Sequence, residues 1–222
     1  MGQGRRPPVN PLGGLPGGVV AALKKLRPVL PQGLYLAAGT AVAMRLGHRM
    51  SQDLDFFFHG SAVDMDELEA TFVELGSVVE FRGPGTLRGY VDATKVAFVQ
   101  ADLFAAAQQL EAPELLAEIL VAGMKDLMAM KLKVLAERGE LRDYYDVKCI
   151  DEHGSVPLED GVALFLERYG LDRASAALPH LVRALGYLED VDEDDSLPMS
   201  RAELAAWWQV RQVKLVRNLG TR

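Results

Sequence analysis

Ala38-Gly39-Thr40-Ala41-Val42-Ala43, with twelve residues between Thr40 and the run Asp53-Leu54-Asp55-Phe56-Phe57-Phe58, is the stretch that decides how this chain folds. Leu34 to Ala38 reads as a buried strand, Gly39-Thr40 as a break, and Ala41 to Leu46 as a helix. Asp53 to Phe58 reads as the next strand. Side chains alternate along a strand, so Asp53 and Asp55 project from one face while Leu54, Phe56 and Phe58 take the core. Two carboxylates at that spacing can converge on one divalent cation, and Mg²⁺ favours a few carboxylates together with phosphate oxygens. Gly39 lets the backbone approach a polyphosphate, and Thr40 begins a helix whose first amides attract anions. Strand, turn and acid pair thus outline a metal–triphosphate site. A solvated strand edge is the plainer reading of the same two acids.

Outward from this stretch, residues 1–18 hold ten Gly or Pro and read as a flexible leader. Val19 to Leu26 is a short helix stopped by Pro28 and Pro31. Asp64 to Leu75 carries helical spacing, with Met65, Leu68, Phe72 and Leu75 on one side. Val78 to Arg82, Leu87 to Val91 and Lys95 to Leu103 alternate like strands, and Gly83-Pro84-Gly85 and Asp92-Ala93-Thr94 supply turns for a meander. After Pro113 the chain reads as helix to its end, with breaks near Gly139, Gly154, Gly170 and the acidic segment 189–195. The expected fold is α+β: a mixed sheet with flanking helices over residues 19–112, then a helical domain over 113–222.

Composition narrows the function classes. The chain has 222 residues, 49% hydrophobic and 25% charged, as in ordinary globular proteins. Its net charge of −7 argues against non-specific coating of nucleic acid or membrane, though not against a local basic site. No stretch approaches the roughly 18 consecutive apolar residues of a membrane span. Cys149 is the single cysteine, which excludes an internal disulfide and cysteine-based zinc clusters. A cytoplasmic protein is the expectation. His59, His153 and His180 lack metal-ligand spacing, and Trp207-Trp208 with Val210, Val213 and Leu215 read as a helix docking onto the core.

A second informative block is Asp126-Leu127-Met128-Ala129-Met130-Lys131-Leu132-Lys133-Val134-Leu135-Ala136-Glu137-Arg138-Gly139, followed by Leu141-Arg142-Asp143-Tyr144-Tyr145-Asp146. At 100° per residue, Lys131 and Arg138 fall about 20° apart, inside an arc of apolar side chains. Cations there need a carboxylate or a phosphate. Asp143 and Asp146 are the partners within reach of the chain. An ion-pair network locking two helices is the structural reading; the same pairs can also position Lys131 for a nucleotide phosphate.

The first stretch, extended to His48-Arg49-Met50-Ser51-Gln52-Asp53-Leu54-Asp55, together with the second block resembles the AbiEii/AbiGii-type nucleotidyltransferase toxins of the DNA polymerase β-like superfamily. That family usually carries a second Gly where this chain has Ala38. The resemblance implies an N-terminal polymerase β-like mixed sheet with the Asp-x-Asp strand central, and a helical domain completing the active-site cleft. It implies transfer of a nucleoside monophosphate from a nucleoside triphosphate to an acceptor hydroxyl, with Asp53 and Asp55 holding Mg²⁺. Gly39, Thr40, Ser51 and Arg49 are expected on the triphosphate, Lys131, Arg138 and Asp146 around its phosphates, and Asp143 as orienter of Lys131 or base on the acceptor. Asp102 is the candidate third carboxylate. RNA, such as a tRNA 3′ end, is the implied acceptor and an antitoxin the implied partner. Arg45, Arg49, Lys131, Arg138 and Arg142 are candidates for a basic cleft. Transfer to a small molecule or a protein hydroxyl, and a non-catalytic binding module of the same fold, are the alternatives.

Overall fold

The computed structural model describes residues 10–60, 63–101, 108–109, 116 and 119–220. Two units meet in the chain between Gly123 and Met124. The first carries α1 (Gly17–Leu26), β1 (Tyr35–Leu36), α2 (Ala38–Leu46), β2 (Leu54–Phe58), α3 (Met65–Glu74), β3 (Val78–Gly83), β4 (Thr86–Val91), β5 (Thr94–Gln100), β6 (Gln108–Gln109) and β7 (Leu120–Val121). The second carries α4 (Met124–Glu137), α5 (Leu141–His153), α6 (Leu158–Arg168), α7 (Ala177–Leu185) and α8 (Arg201–Gly220).

The seven strands form one mixed sheet in the order β3-β4-β5-β2-β1-β7-β6, with the Asp-x-Asp strand β2 in the middle. The meander β3-β4-β5 is antiparallel, and β5 then lies parallel to β2. Alternation sorts the faces as expected: Leu54, Phe56 and Phe58 are buried, whereas Asp55 and Phe57 are half-buried. On the core face Phe56 stacks on Phe98, and Phe72 of α3 meets Phe98 edge-on. Asp64 caps α3 by accepting from the Asp66 and Glu67 N–H groups, which fixes where that helix starts.

Three sequence expectations are corrected. The leader reading of 1–18 fails from Asn10 onward, where Asn10 caps a turn, Leu15 is buried and the Gly14 carbonyl accepts from the Ser51 N–H at 2.9 Å. Gly and Pro there shape a docked turn. The strand expected over 34–38 is only Tyr35–Leu36, because α2 already begins at Ala38. The boundary expected at 112/113 falls instead after Gly123, because β7 pairs parallel with β1 and belongs to the sheet. A two-residue strand has no period to read, so the apolar run that contains it passed for helix.

Ala38 opens α2 at φ 55°, in the left-handed region. An L-residue there costs roughly 1–2 kcal/mol relative to glycine. Ala38→Gly is therefore expected to raise stability by about 0.5–1 kcal/mol after the added freedom of the unfolded chain is subtracted. A thermal melt should show the midpoint rising by about 1–4 °C.

In the helical unit, Arg211 of α8 ties α5 to α6. Its guanidinium donates to Asp151 at 2.6 and 3.0 Å and to Glu159 at 2.7 and 2.9 Å. The hydrogen bonds from Arg211, helped by Asn218, outweigh burial and hold the Glu159 carboxyl down from 4.5 to about 2. A depressed carboxyl stabilises fully above its ordinary range and loses that contribution as pH falls through its folded value. Melts should therefore show a stability loss of about 2–3 kcal/mol between pH 4.5 and 2, flattened in Glu159→Gln. Trp208 is fully buried and meets Tyr144 edge-on at 5.9 Å, as a docking helix requires. Val210 and Val213, expected on that docking face, are instead exposed, because they lie on the other side of α8. Among the described residues no helix is long and apolar enough to cross a membrane.

Candidate active site

Four contacts hold the acid pair in place at the start of β2. The Asp55 carbonyl accepts from the Ala37 N–H at 2.9 Å, joining β2 to the entry of α2. The Thr40 hydroxyl donates to the Asp53 carbonyl and lies 2.7 Å from the Ser51 hydroxyl. The Ser51 N–H in turn donates to Gly14. The 51–53 turn is thus anchored from two sides, and both aspartates are half-buried rather than fully solvated. Thr40 and Ser51 are 1% and 6% exposed. Their hydroxyls hold the Asp53 backbone beside the start of α2. The N-cap Ala37 offers no side chain to the first turn of α2, so the amides around Gly39 keep the anion-binding character of an uncapped helix start.

The acid pair suits Mg²⁺: two half-buried carboxylates two residues apart leave most of the octahedron to phosphate oxygens and water. No group of three or more His, Cys, Asp or Glu side chains gathers for a metal among the described residues. Beside Asp55, β5 supplies no acid. Asp55 is in register with Ala97, and Leu54 with Val96. The expected third carboxylate, Asp102, lies outside the described residues.

The cations expected around the site behave differently from one another. Arg45 donates through Nε to the Ala122 carbonyl at 2.7 Å and through Nη2 to Val121 at 2.8 Å. It holds the end of β7, and burial lowers its pKa. Arg49 donates to the Met50 carbonyl beside the motif. Arg138 follows α4 and is 77% exposed, which corrects its placement inside the apolar stripe. Its N–H still bonds the Val134 carbonyl at 2.9 Å, but at the open end of α4 the side chain reaches solvent beside Glu140. Arg142 pairs with Glu140 at 2.6 Å.

Lys131 matches its expectation of burial and pairing. Its Nζ lies 2.7 Å from Asp143 Oδ1 and 2.7 Å from Asp146 Oδ2, and all three residues are buried. Burial pulls the Lys131 pKa down, but the Asp146 and Asp143 carboxylates outweigh it and hold the ammonium charged. Asp143 also accepts from the Glu140 N–H through Oδ2 at 3.1 Å, closing a capping box at the start of α5. Two donors of Lys131 and both oxygens of Asp143 are thus engaged within the helical unit. Sequence reasoning missed three further ion pairs here, Asp126 with Arg168 and Arg211 with both Asp151 and Glu159, because their partners lie 42 to 60 residues apart.

Comparison with known proteins agrees with this architecture. The profile of the family described as nucleotidyl transferase AbiEii toxin, type IV toxin–antitoxin system, matches residues 22–220. An uncharacterised protein of Aquifex aeolicus (strain VF5) is 30% identical over 164 residues, covering 72% of this chain and 76% of that one. The solution structure of the antibiotic-resistance factor ANT(2'')-Ia matches with a TM-score of 0.50 and 21% identity, covering 73% of this chain and 95% of that one. At that identity the likeness speaks for the fold.

Proposed function

This chain belongs to the AbiEii family of nucleotidyltransferase toxins, and from that premise we propose that it transfers a nucleoside monophosphate from a nucleoside triphosphate to an RNA 3′-hydroxyl. The observation that carries the reading is the anchored pair Asp53 and Asp55 on the central strand, beside the uncapped start of α2. In the proposed reaction the acceptor oxygen attacks the α-phosphorus, the bond to the β-phosphate oxygen breaks, pyrophosphate leaves, and the hydroxyl proton is released to water. Asp53 and Asp55 would hold Mg²⁺, whose chemistry is to offset charge on the attacking and leaving oxygens. The Gly39 amide would take a phosphate oxygen, with Arg49 as a further candidate for phosphate contact. Lys131, Asp143 and Asp146 are assigned the positioning of α4 against α5, because their charges already satisfy one another.

The family implies a cognate antitoxin, which we take as the physiological partner. A second reading, a binding module without turnover, draws on the same buried triad and on the lack of an acid opposite Asp55. Incubation with each of four α-labelled nucleoside triphosphates, Mg²⁺ and total RNA separates these readings. Label on RNA from one nucleotide supports the proposal. Label on protein or small hydroxyl compounds alone would move the acceptor, and nucleotide binding without any transfer would favour the module.

A further inference from the structure

The acid pair does not stand alone on its face of the sheet. The register runs from Asp55 to Ala97 on β5, from Ala97 to Arg88 on β4, and from Arg88 to Phe81 on β3. Residues paired in this way share a face, so one rank across the sheet reads acid, methyl, guanidinium, phenyl. With neighbouring strands about 4.8 Å apart, Arg88 lies about 10 Å and Phe81 about 14 Å from Asp55. Ala97 puts only a methyl group between the acid and the cation. One step back in the register, Lys95 of β5 pairs with Tyr90 of β4 on the same face.

These side chains are presented outward. Arg88 and Lys95 are exposed, and Phe81 is 43% exposed, far more than a core phenylalanine. The Arg88 guanidinium carbon sits 4.6 Å over the Phe81 ring centre. A Cβ on Gly83 would come within 2.9 Å of the Phe81 ring, so this glycine lets the ring lie close along the strand. Among the described residues no carboxylate pairs with Arg88 or Lys95, on a chain whose net charge is −7. A cation layered on an exposed ring, with another cation beside it, complements phosphates and offers planes on which bases stack.

We propose that the open face formed by Phe81, Arg88 and Lys95 is the platform for the acceptor: a single-stranded RNA whose terminal hydroxyl reaches Asp53 and Asp55 while the nucleotides behind it stack toward β3. The proposal rests on the transferase reading for its polarity, and it goes beyond that reading in naming the surface and the strandedness. A duplex hides its bases and cannot use the Arg88–Phe81 stack. A small hydroxyl compound held at Asp55 does not span the distance to Phe81.

The test is binding, without chemistry. A fluorescein-labelled 12-nucleotide single-stranded RNA with a free 3′-hydroxyl is titrated with the full chain and followed by anisotropy. Phe81→Ala and Arg88→Ala are each expected to raise Kd about tenfold, with Arg88→Lys intermediate because it keeps charge and loses the plane. Lys95→Ala should lower the salt slope by about one. Asp55→Ala should bind at least as tightly as wild type. Thermal melts unchanged in the four surface variants keep the reading one of contact. RNA affinity indifferent to Phe81 and Arg88, or absent while small hydroxyl compounds are nucleotidylated, overturns the platform. RNA binding that follows the expected pattern with no nucleotide transfer would uphold the platform and remove the transferase reading instead.

Discussion

Asp55→Ala is expected to lower nucleotide transfer at least about a thousandfold, the loss that follows removal of a group stabilising charge in a phosphoryl-type transition state. The thermal midpoint should stay within a few degrees of wild type. Asp55 projects away from the core face of β2, and its carbonyl bond to the Ala37 N–H, which alanine retains, joins β2 to the entry of α2. Asp53→Ala should behave alike, because the Thr40 hydroxyl holds the Asp53 backbone and not its carboxylate. The loss should appear mainly in kcat at saturating nucleotide. A modest loss in both variants would show that the pair is a solvated strand edge after all.

Lys131→Met is expected to cost stability first. It leaves Asp143 and Asp146 as two buried carboxylates without their cation, a change worth about 3–5 kcal/mol, or about 10 °C in a chain of this size. Adding Asp143→Asn and Asp146→Asn should restore part of that loss, because the uncompensated charge goes with them. Transfer activity should recover in step with the fold in this triple variant if the triad positions α4 against α5. Recovery of the fold with activity still lost would return Lys131 to the phosphate contact first read from the sequence. The pH dependence has a definite sign. The Lys131 pKa is raised, so its contribution is complete below the ordinary lysine range, about 10.4, and disappears as pH rises through the folded value.

Much of the fold was legible because its signals are local. Alternation in Asp53–Phe58 and in the meander placed β2 to β5, and Asp64 marked the start of α3. Glycines 139 and 154 marked breaks between helices that the structure keeps. The edge of the sheet was not legible, since β7 is two residues long and is defined only by pairing with β1, eighty-five positions earlier (Tyr35 with Leu120). The site divided in the same way. The acid pair follows from strand spacing, and the Lys131–Asp143–Asp146 cluster from a cation in an apolar stripe with two acids on the next helix, only twelve and fifteen residues away. Arg138 did not, because a helical projection does not show that the side chain at the end of α4 reaches solvent. The hydrogen bond from the Thr40 hydroxyl to the Asp53 carbonyl was not legible, because sequence shows the nearness of the two residues but not the backbone bond between them. The rank from Asp55 to Phe81 is invisible in sequence, since it depends on β2 lying parallel to β5. Lys95 and Arg88 carry weak signals of their own as cations alternating with buried positions, and only the register ties them to the acids.

The most direct test of the account follows the fate of the two ends of the nucleotide. Parallel reactions with α-labelled and γ-labelled triphosphate, run with wild type and Asp55→Ala, are resolved for labelled acceptor and released pyrophosphate. The expected result is α-label on the acceptor, γ-label in pyrophosphate in equal amount, and neither in the variant. γ-Label on the acceptor, or equal transfer by the Asp55 variant, would contradict a nucleotidyl transfer built on this acid pair.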